Sequence, residues 1–432
     1  MFVRRLVLRS TRLTLEANEF SIDKMRILQK TLLALCLFAS AMATPTPTGS
    51  IEALQAVSQG AQLFSSKFIK TVAKERQDNL ISSPLSANIA LSMAANGAAG
   101  TTETQFRDVL HLPSKTQTLN GFQNLIDILN NVENVTLKLA NKLFIGKDFP
   151  VKSQYKQDLQ TYYHSDIDSV DFSQSAKAAD TINTWAKEKT NNHIDSIVQA
   201  DDLDPSLALV LANAVYFKGN WAHQFDPKAT TNRPFHINAN NVKQVPTMYR
   251  KGNYKYVELP EHEAKCIELP YANKEISMVI VLPDKIDGLT ALINNFEAVS
   301  LDCNVRLAQT YEREVRVYLP KFKTESKLDL GNTLSTKLGL SEPFSNTANF
   351  NGISDVALKI DKVVQKAFIE VNEEGSEAAA VTGVQIELRC LVITTTVTID
   401  RPFLYSIIRV HRETGNSDFV PLFIGTVTVP TY

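Results

Sequence analysis

The side chains able to carry catalysis are scattered along this 432-residue chain in no pattern that would assemble a reaction. None of the seven histidines (His111, His164, His193, His223, His236, His262, His411) stands four residues from another, the spacing that puts two metal ligands on one helix face. The chain has no G-x-S-x-G elbow, no P-loop, no G-x-G-x-x-G and no H-E-x-x-H. A Ser-His-Asp site built from distant segments gains no support above its base rate. No enzyme, metal site or cofactor is therefore expected.

The unusual chemistry lies in residues 371–402, VNEEGSEAAAVTGVQIELRCLVITTTVTIDRP. One alternating set holds Ser376, Ala378, Ala380, Thr382, Val384, Ile386 and Leu388, uncharged and small at its start. The other holds Glu377, Ala379, Val381, Gly383, Gln385, Glu387 and Arg389, and carries every charge. A strand would put the two sets on opposite faces, and no proline from 376 to 399 blocks a ladder. Yet Glu373-Glu374-Gly375-Ser376 suits an exposed turn. The segment fits two states, exposed first and strand-paired later, with small side chains where it would enter a preformed sheet. The plainer alternative is an alanine-rich edge strand or hairpin arm.

The elements that would position such a segment are helical first and extended later. Leu54, Val57, Ala61, Phe64, Phe68 and Val72 recur every three or four residues and predict a helix packed on a core. Short helical patterns run on to about residue 160, broken by a strand-like alternation at 135–144, and 176–189 is helical again. Residues 207–217 (LALVLANAVYF) are apolar almost without break, as in a strand covered on both faces. From about 245 onward, strand-like runs dominate, at 276–282, 315–319, 356–371, 391–399, 403–410 and 419–429. This order predicts an α+β chain with large mixed sheets, and no linker or repeat divides it after Pro47.

With 45 Lys plus Arg against 46 Asp plus Glu, the net charge of −1 excludes general electrostatic capture of nucleic acid. Residues 31–43 are apolar, too few to span a bilayer, and follow Lys24, Arg26 and Lys30. Ala39-Ser40-Ala41 or Ala41-Met42-Ala43 then precedes Thr44-Pro45, the order of a secretory signal cleaved near Ala43. Met25 stands where such a signal would begin, leaving either Met1 or Met25 as the start. Arg4, Arg5, Arg9 and Arg12 alternatively suggest an organelle presequence, against which Glu16, Glu19 and Asp23 argue. Loss of residues 1–43 removes seven basic and three acidic side chains and leaves a net charge of −5. Cys36 goes with the leader. Cys266, Cys303 and Cys390 remain, odd in number and without metal-ligand spacing, so no disulfide framework is expected. Asn134-Val135-Thr136 is the one glycosylation sequon.

Across roughly residues 51–432 the chain resembles the serpin family. The resemblance rests on Asn79-Leu80-Ile81-Ser82-Ser83-Pro84-Leu85-Ser86, on Ile182-Asn183-Thr184-Trp185 with Thr190 and Ile194, and most specifically on residues 211–221 (LANAVYFKGNW) followed by Phe225 and Pro227. Leu319-Pro320-Lys321-Phe322, Phe350-Asn351-Gly352-Ile353-Ser354, the 375–382 hinge and Arg401-Pro402-Phe403 complete it in the family's order. The resemblance implies a single domain over 44–432 with N-terminal helices, a large central mixed sheet and a reactive loop at about 373–398.

It further implies a secreted, monomeric suicide substrate of a serine protease. Cleavage of the loop would let the segment ahead of the scissile bond enter the central sheet and carry the acyl-enzyme with it before deacylation. Ladder bonds supply about 1 kcal/mol net each and ordering costs about 1 to 2 kcal/mol per residue. Burial of Val384, Ile386 and Leu388 at roughly 1.5 to 3 kcal/mol each then bears on the sign.

The implied hinge is Glu373, Glu374, Gly375, Ser376, Glu377, Ala378, Ala379 and Ala380, and counting in the family's usual register from Gly375 puts the reactive bond between Arg389 and Cys390, which implies trypsin-like targets. Counting back from Pro402 leaves Leu391 open, which implies chymotrypsin-like ones. Cys390 would be an exposed thiol or merely a tolerated small residue. Ser83, Ser86, Asn213, Trp221 and Gln365 are the implied sheet-opening residues, Gln365 standing where many members have histidine. No Lys or Arg occurs at 117–134, so heparin activation through that helix is not expected, nor is a membrane or nucleic-acid partner. A non-inhibitory carrier, storage or chaperone serpin is the alternative, which bulky, charged or proline residues at 376, 378 or 380 would have favoured.

Overall fold

The computed structural model describes residues 48–273, 275–375, 395–411 and 418–432. Within the unit Glu52–Tyr432, helices come first. Helix α1 (Thr48–Lys74) turns Val57, Ala61, Phe64, Phe68 and Val72 onto one buried face, as their spacing requires. After the short β1 (Leu80–Ser82), α2 (Pro84–Asn96) opens on a proline whose missing N–H costs nothing in the first turn. Ser83 Oγ caps it by accepting from Ser86 N at 3.2 Å. Helices α3 (Gly100–Leu110) and α4 (Lys115–Asn130), β2 (Val135–Gly146), α5 (Ser153–Tyr163), β3 (Ile167–Val170) and α6 (Ser175–Lys189) follow.

The apolar run at 207–217 becomes β4 (Leu209–Gly219), and its alternation divides it between two cores. Leu209, Leu211, Val215 and Phe217 enter the main one. Val210, Ala212 and Ala214 join a second cluster with Phe144, Ile182 and Trp185, the last two on α6. Strands then dominate: β5 (Thr231–Asn238), β6 (Asn241–Leu259), β7 (Ala264–Pro270), β8 (Ile276–Pro283), β9 (Arg313–Pro320), β10 (Phe322–Asp329), β11 (Ile360–Val371), β12 (Thr395–Thr398), β13 (Phe403–His411) and β14 (Asp418–Val427). Two helices stand among them, α7 (Leu289–Asn294) and α8 (Phe296–Gln309). The α+β class expected from the order of patterns is the one observed.

The strands form a five-stranded sheet, β10-β11-β4-β2-β3, and a nine-stranded one that runs β1-β14-β13-β8-β7-β6-β9-β12 with β5 on β6. In the smaller sheet β11 and β4 are parallel, with Gln365 opposite Asn213 and Phe368 opposite Tyr216. Antiparallel pairs flank them, β10 on β11 and β2 on β4.

Three expectations need correction. The strand anticipated over 356–371 begins only at Ile360, because Val356 N donates to Ser354 Oγ at 3.2 Å and holds the chain there in a bend. Helices α7 and α8 were not anticipated among the strands, although Leu289, Leu292, Phe296, Val299, Cys303 and Leu307 are buried at helical spacing. Finally, Cys266 of β7 and Cys303 of α8 form a disulfide, with Cα atoms 6.0 Å apart. An odd cysteine count argues against a complete framework but not against one bond, and the buried face of α8 brings Cys303 onto β7.

Candidate functional site

Two groups of residues sit on the β11–β4 seam, one at its end and one midway. At the end, Gly375 has φ +69°, and a Cβ there would lie 2.3 Å from Trp221 N and 2.4 Å from Gly219 O, so only glycine fits. Trp221 and its neighbours grip the turn through backbone carbonyls. Its Nε1 donates to Asn372 O at 2.9 Å, its N to Glu374 O at 3.4 Å, and Phe225 N to Glu373 O at 3.0 Å. The indole lies flat on Tyr271, ring centres 4.5 Å apart, and edge-on to Phe225.

Of the two hinge acids among the described residues, Glu373 is drawn inside, with 8% of its surface exposed, and Glu374 is exposed. Lys321 Nζ pairs with it at 2.9 Å and Thr230 Oγ1 donates to it at 2.7 Å. Burial alone would raise its pKa, but the bonds from Lys321 and Thr230 outweigh it and hold the carboxyl below its ordinary value. Lys321 is likewise held above its ordinary value against burial, and its ammonium lies 4.0 Å from the Tyr432 ring centre.

Midway, Gln365 is fully buried and uses both ends of its amide. Oε1 accepts from Ser82 Oγ at 2.5 Å and Ser83 N at 3.0 Å. Nε2 donates to Ser83 O at 2.9 Å and Asn213 Oδ1 at 2.6 Å. Asn213 Nδ2 donates onward to Ser86 Oγ at 2.5 Å and to Asn141 Oδ1, and Ser83 Oγ donates to Leu422 O at 2.6 Å. One polar network thus ties β11, β4 and β2 to the start of α2 in an otherwise apolar interior, where each lost partner costs about 1 to 3 kcal/mol.

The structure therefore brings together Ser83, Ser86, Asn213 and Gln365, and separately Trp221 with Glu373, Glu374 and Gly375. Ser82, Asn141, Thr230 and Lys321 belong to these groups and were not singled out for them. Lys321 lies in the LPKF motif, but nothing in the sequence pairs it with Glu373. Asn134 is exposed with φ +58°, just before β2. Ser376, Glu377, Ala378, Ala379, Ala380, Arg389, Cys390 and Leu391 lie outside the described residues, as does the leader.

The serpin (serine protease inhibitor) family model matches residues 59–430. The chain belongs to the serpin family. Among its relatives, this serpin is 32% identical over 400 residues to alaserpin of Manduca sexta, covering 92% of this chain and 99% of the relative. To the leukocyte elastase inhibitor of Bos taurus it is 37% identical over 359 residues, covering 82% and 93%. Among solved structures, Serpin48 of the insect Tenebrio molitor superposes with a TM-score of 0.77 at 32% identity, covering 87% of this serpin and 99% of that chain.

Proposed function

We propose that this serpin is a secreted suicide-substrate inhibitor of a trypsin-like serine protease. The observation that carries the reading is the seam itself. Strands β11 and β4 are parallel neighbours, and β11 ends at Val371 in a turn whose glycine sits against Trp221 beside β4. A strand that turned back at Gly375 and entered between them would run antiparallel to both. It would exchange one parallel ladder for two antiparallel ones, the more stable pairing per residue. The small residues Ser376, Ala378 and Ala380 would lead the way. The active form is then stable kinetically, held shut until cleavage supplies the strand.

Arg389 at the reactive bond supports a trypsin-like target, since a guanidinium suits an acidic primary pocket. The order of residues 24–45 supports secretion, and so does the Cys266–Cys303 bond, a pairing favoured in oxidising compartments. Exposed Asn134 would then carry a glycan.

The test is incubation with trypsin, followed by denaturing electrophoresis and mass spectrometry of the released C-terminal peptide. A stable covalent band with a peptide beginning at Cys390 is expected. A peptide beginning at Val392 would move the reactive residue to Leu391 and the target to chymotrypsin-like enzymes. Cleavage by enzymes of both kinds without a covalent species would overturn inhibition in favour of a carrier, storage or chaperone role.

A further inference from the structure

The seam carries a third contact, on the face that α6 covers. Phe368 of β11 and Tyr216 of β4 are opposite each other in the register, their rings 6.1 Å apart and 21° from parallel. Over them lies the ring of His193, 4.1 Å from Tyr216 at 10° and 5.8 Å from Phe368 at 19°. His193 is itself exposed, while Tyr216 beneath it is only 3% exposed.

The turn after α6 presents that ring in a fixed direction. Asn191 and Asn192 take left-handed conformations, φ 52° and 63°, which asparagine tolerates better than most residues. Asn192 N donates to Lys187 O, His193 N to Thr190 O, and Ile194 N to Thr190 Oγ1. Thr190 Oγ1 in turn donates to Ala186 O at 2.7 Å. An inserted strand would double the spacing between β4 and β11 from about 4.8 to nearly 10 Å. A single imidazole cannot then rest on both rings.

We infer that His193 is a clasp across the β4–β11 seam and sets the rate at which the seam opens. The role is a positioning one, and it rests on the insertion reading above. It also makes opening respond to pH. Facing the ring are Tyr216 and Lys218 of β4, Lys138 of β2 opposite Tyr216, and Lys366 and Glu370 of β11; Lys189 and the Lys187–Asp195 pair lie on its own segment. Lys366 and Glu370 are paired with Glu325 and Lys323 of β10. Loss of water on the ring face stacked against Tyr216, then Lys218, holds the imidazole below its ordinary value of 6.5 although the residue is exposed, with Glu370 acting the other way. The stacked ring therefore favours the neutral form. The clasp is whole above the ordinary value and weakens as pH falls through it towards the lowered one.

The experiment needs no protease. A synthetic peptide of the 376–389 sequence is added to the intact protein, and its annealing is followed by native electrophoresis and by the rise in unfolding temperature. At pH 7.5, His193→Ala should anneal roughly three- to ten-fold faster than wild type, the range expected for one aromatic stack. His193→Phe, which keeps the stack, should match wild type. Wild type should speed up between pH 7.5 and 5.5, and His193→Phe should not. Equal rates for wild type and His193→Ala at pH 7.5, or acid acceleration undiminished in His193→Phe, would overturn the clasp. Failure of trypsin to form a covalent complex would overturn the inhibitory reading and leave the annealing result standing.

Discussion

The two sheets are held together by opposite means. In the nine-stranded sheet, β13 lies between antiparallel neighbours β14 and β8, and Phe403, Tyr405 and Ile407 are buried with almost no polar interruption. A disulfide further fastens β7 to α8. In the five-stranded sheet the central pair is parallel, and what crosses it is directional: an amide network at Gln365, the bonds from Trp221 and Phe225 to the hinge carbonyls and a ring stack at His193. Apolar packing gives way gradually as surfaces part, whereas hydrogen bonds fail over a fraction of an ångström. On the insertion reading proposed above, the first sheet serves as a frame and the second as a joint whose strength sits in a few replaceable contacts.

The sharpest way to break that contrast is Gln365→Leu. It leaves Ser82 Oγ, Ser83 N, Ser83 O and Asn213 Oδ1 short of a partner in the interior, a loss of about 3 to 5 kcal/mol by denaturant unfolding. If the network belongs to the joint, peptide annealing should accelerate as well. Replacing both Cys266 and Cys303 by alanine should cost about 2 to 4 kcal/mol, since their bond closes a loop of 37 residues. That loss belongs to the frame, so annealing should stay at the wild-type rate, and a matching acceleration would erase the distinction.

Glu373→Gln is the smallest change, about 1 to 2 kcal/mol, because the amide can still accept from Thr230 while Lys321 loses its counter-charge. Its signature is pH. The carboxylate's folded value is depressed, so its contribution is complete above the ordinary value of 4.5 and is lost as pH falls through the lowered one. Protection of the Trp221 and Phe225 amides, taken relative to their intrinsic exchange at each pH, should therefore fall in acid for wild type and stay level for Glu373→Gln.

Much of the fold was legible because its signals are local. The spacing in α1 and the unbroken run in β4 each dictate one burial pattern, and the structure keeps it. The 19-residue β6 escaped because its first four residues are exposed and residues 249–252 are half-buried in succession, so no apolar alternation marks it. Helices α7 and α8 escaped although their buried residues keep helical spacing, since strand-like runs on either side dominated the reading. The joint was legible only in part. Motifs place Gln365 near Ser83 and Trp221 near the hinge, but no pattern in one sequence says that Lys321 reaches Glu373 or that Asn141 completes the amide network. Such contacts between distant residues depend on strand register, which forms only once the sheets have assembled.

The pairing of β1 with β14, Leu80 against Thr426, has a consequence for synthesis. Every strand of the five-stranded sheet is present once Val371 has been made, while the frame waits for the last residues of β14. At about 5 to 20 residues per second, roughly 3 to 11 s separate the two events. During that interval the five-stranded sheet has all its described strands, while Ser83 still lacks the Leu422 carbonyl that anchors it. The early chain must wait for its own far end, so the order of translation leaves the polar network of the five-stranded sheet incomplete until β14 is made.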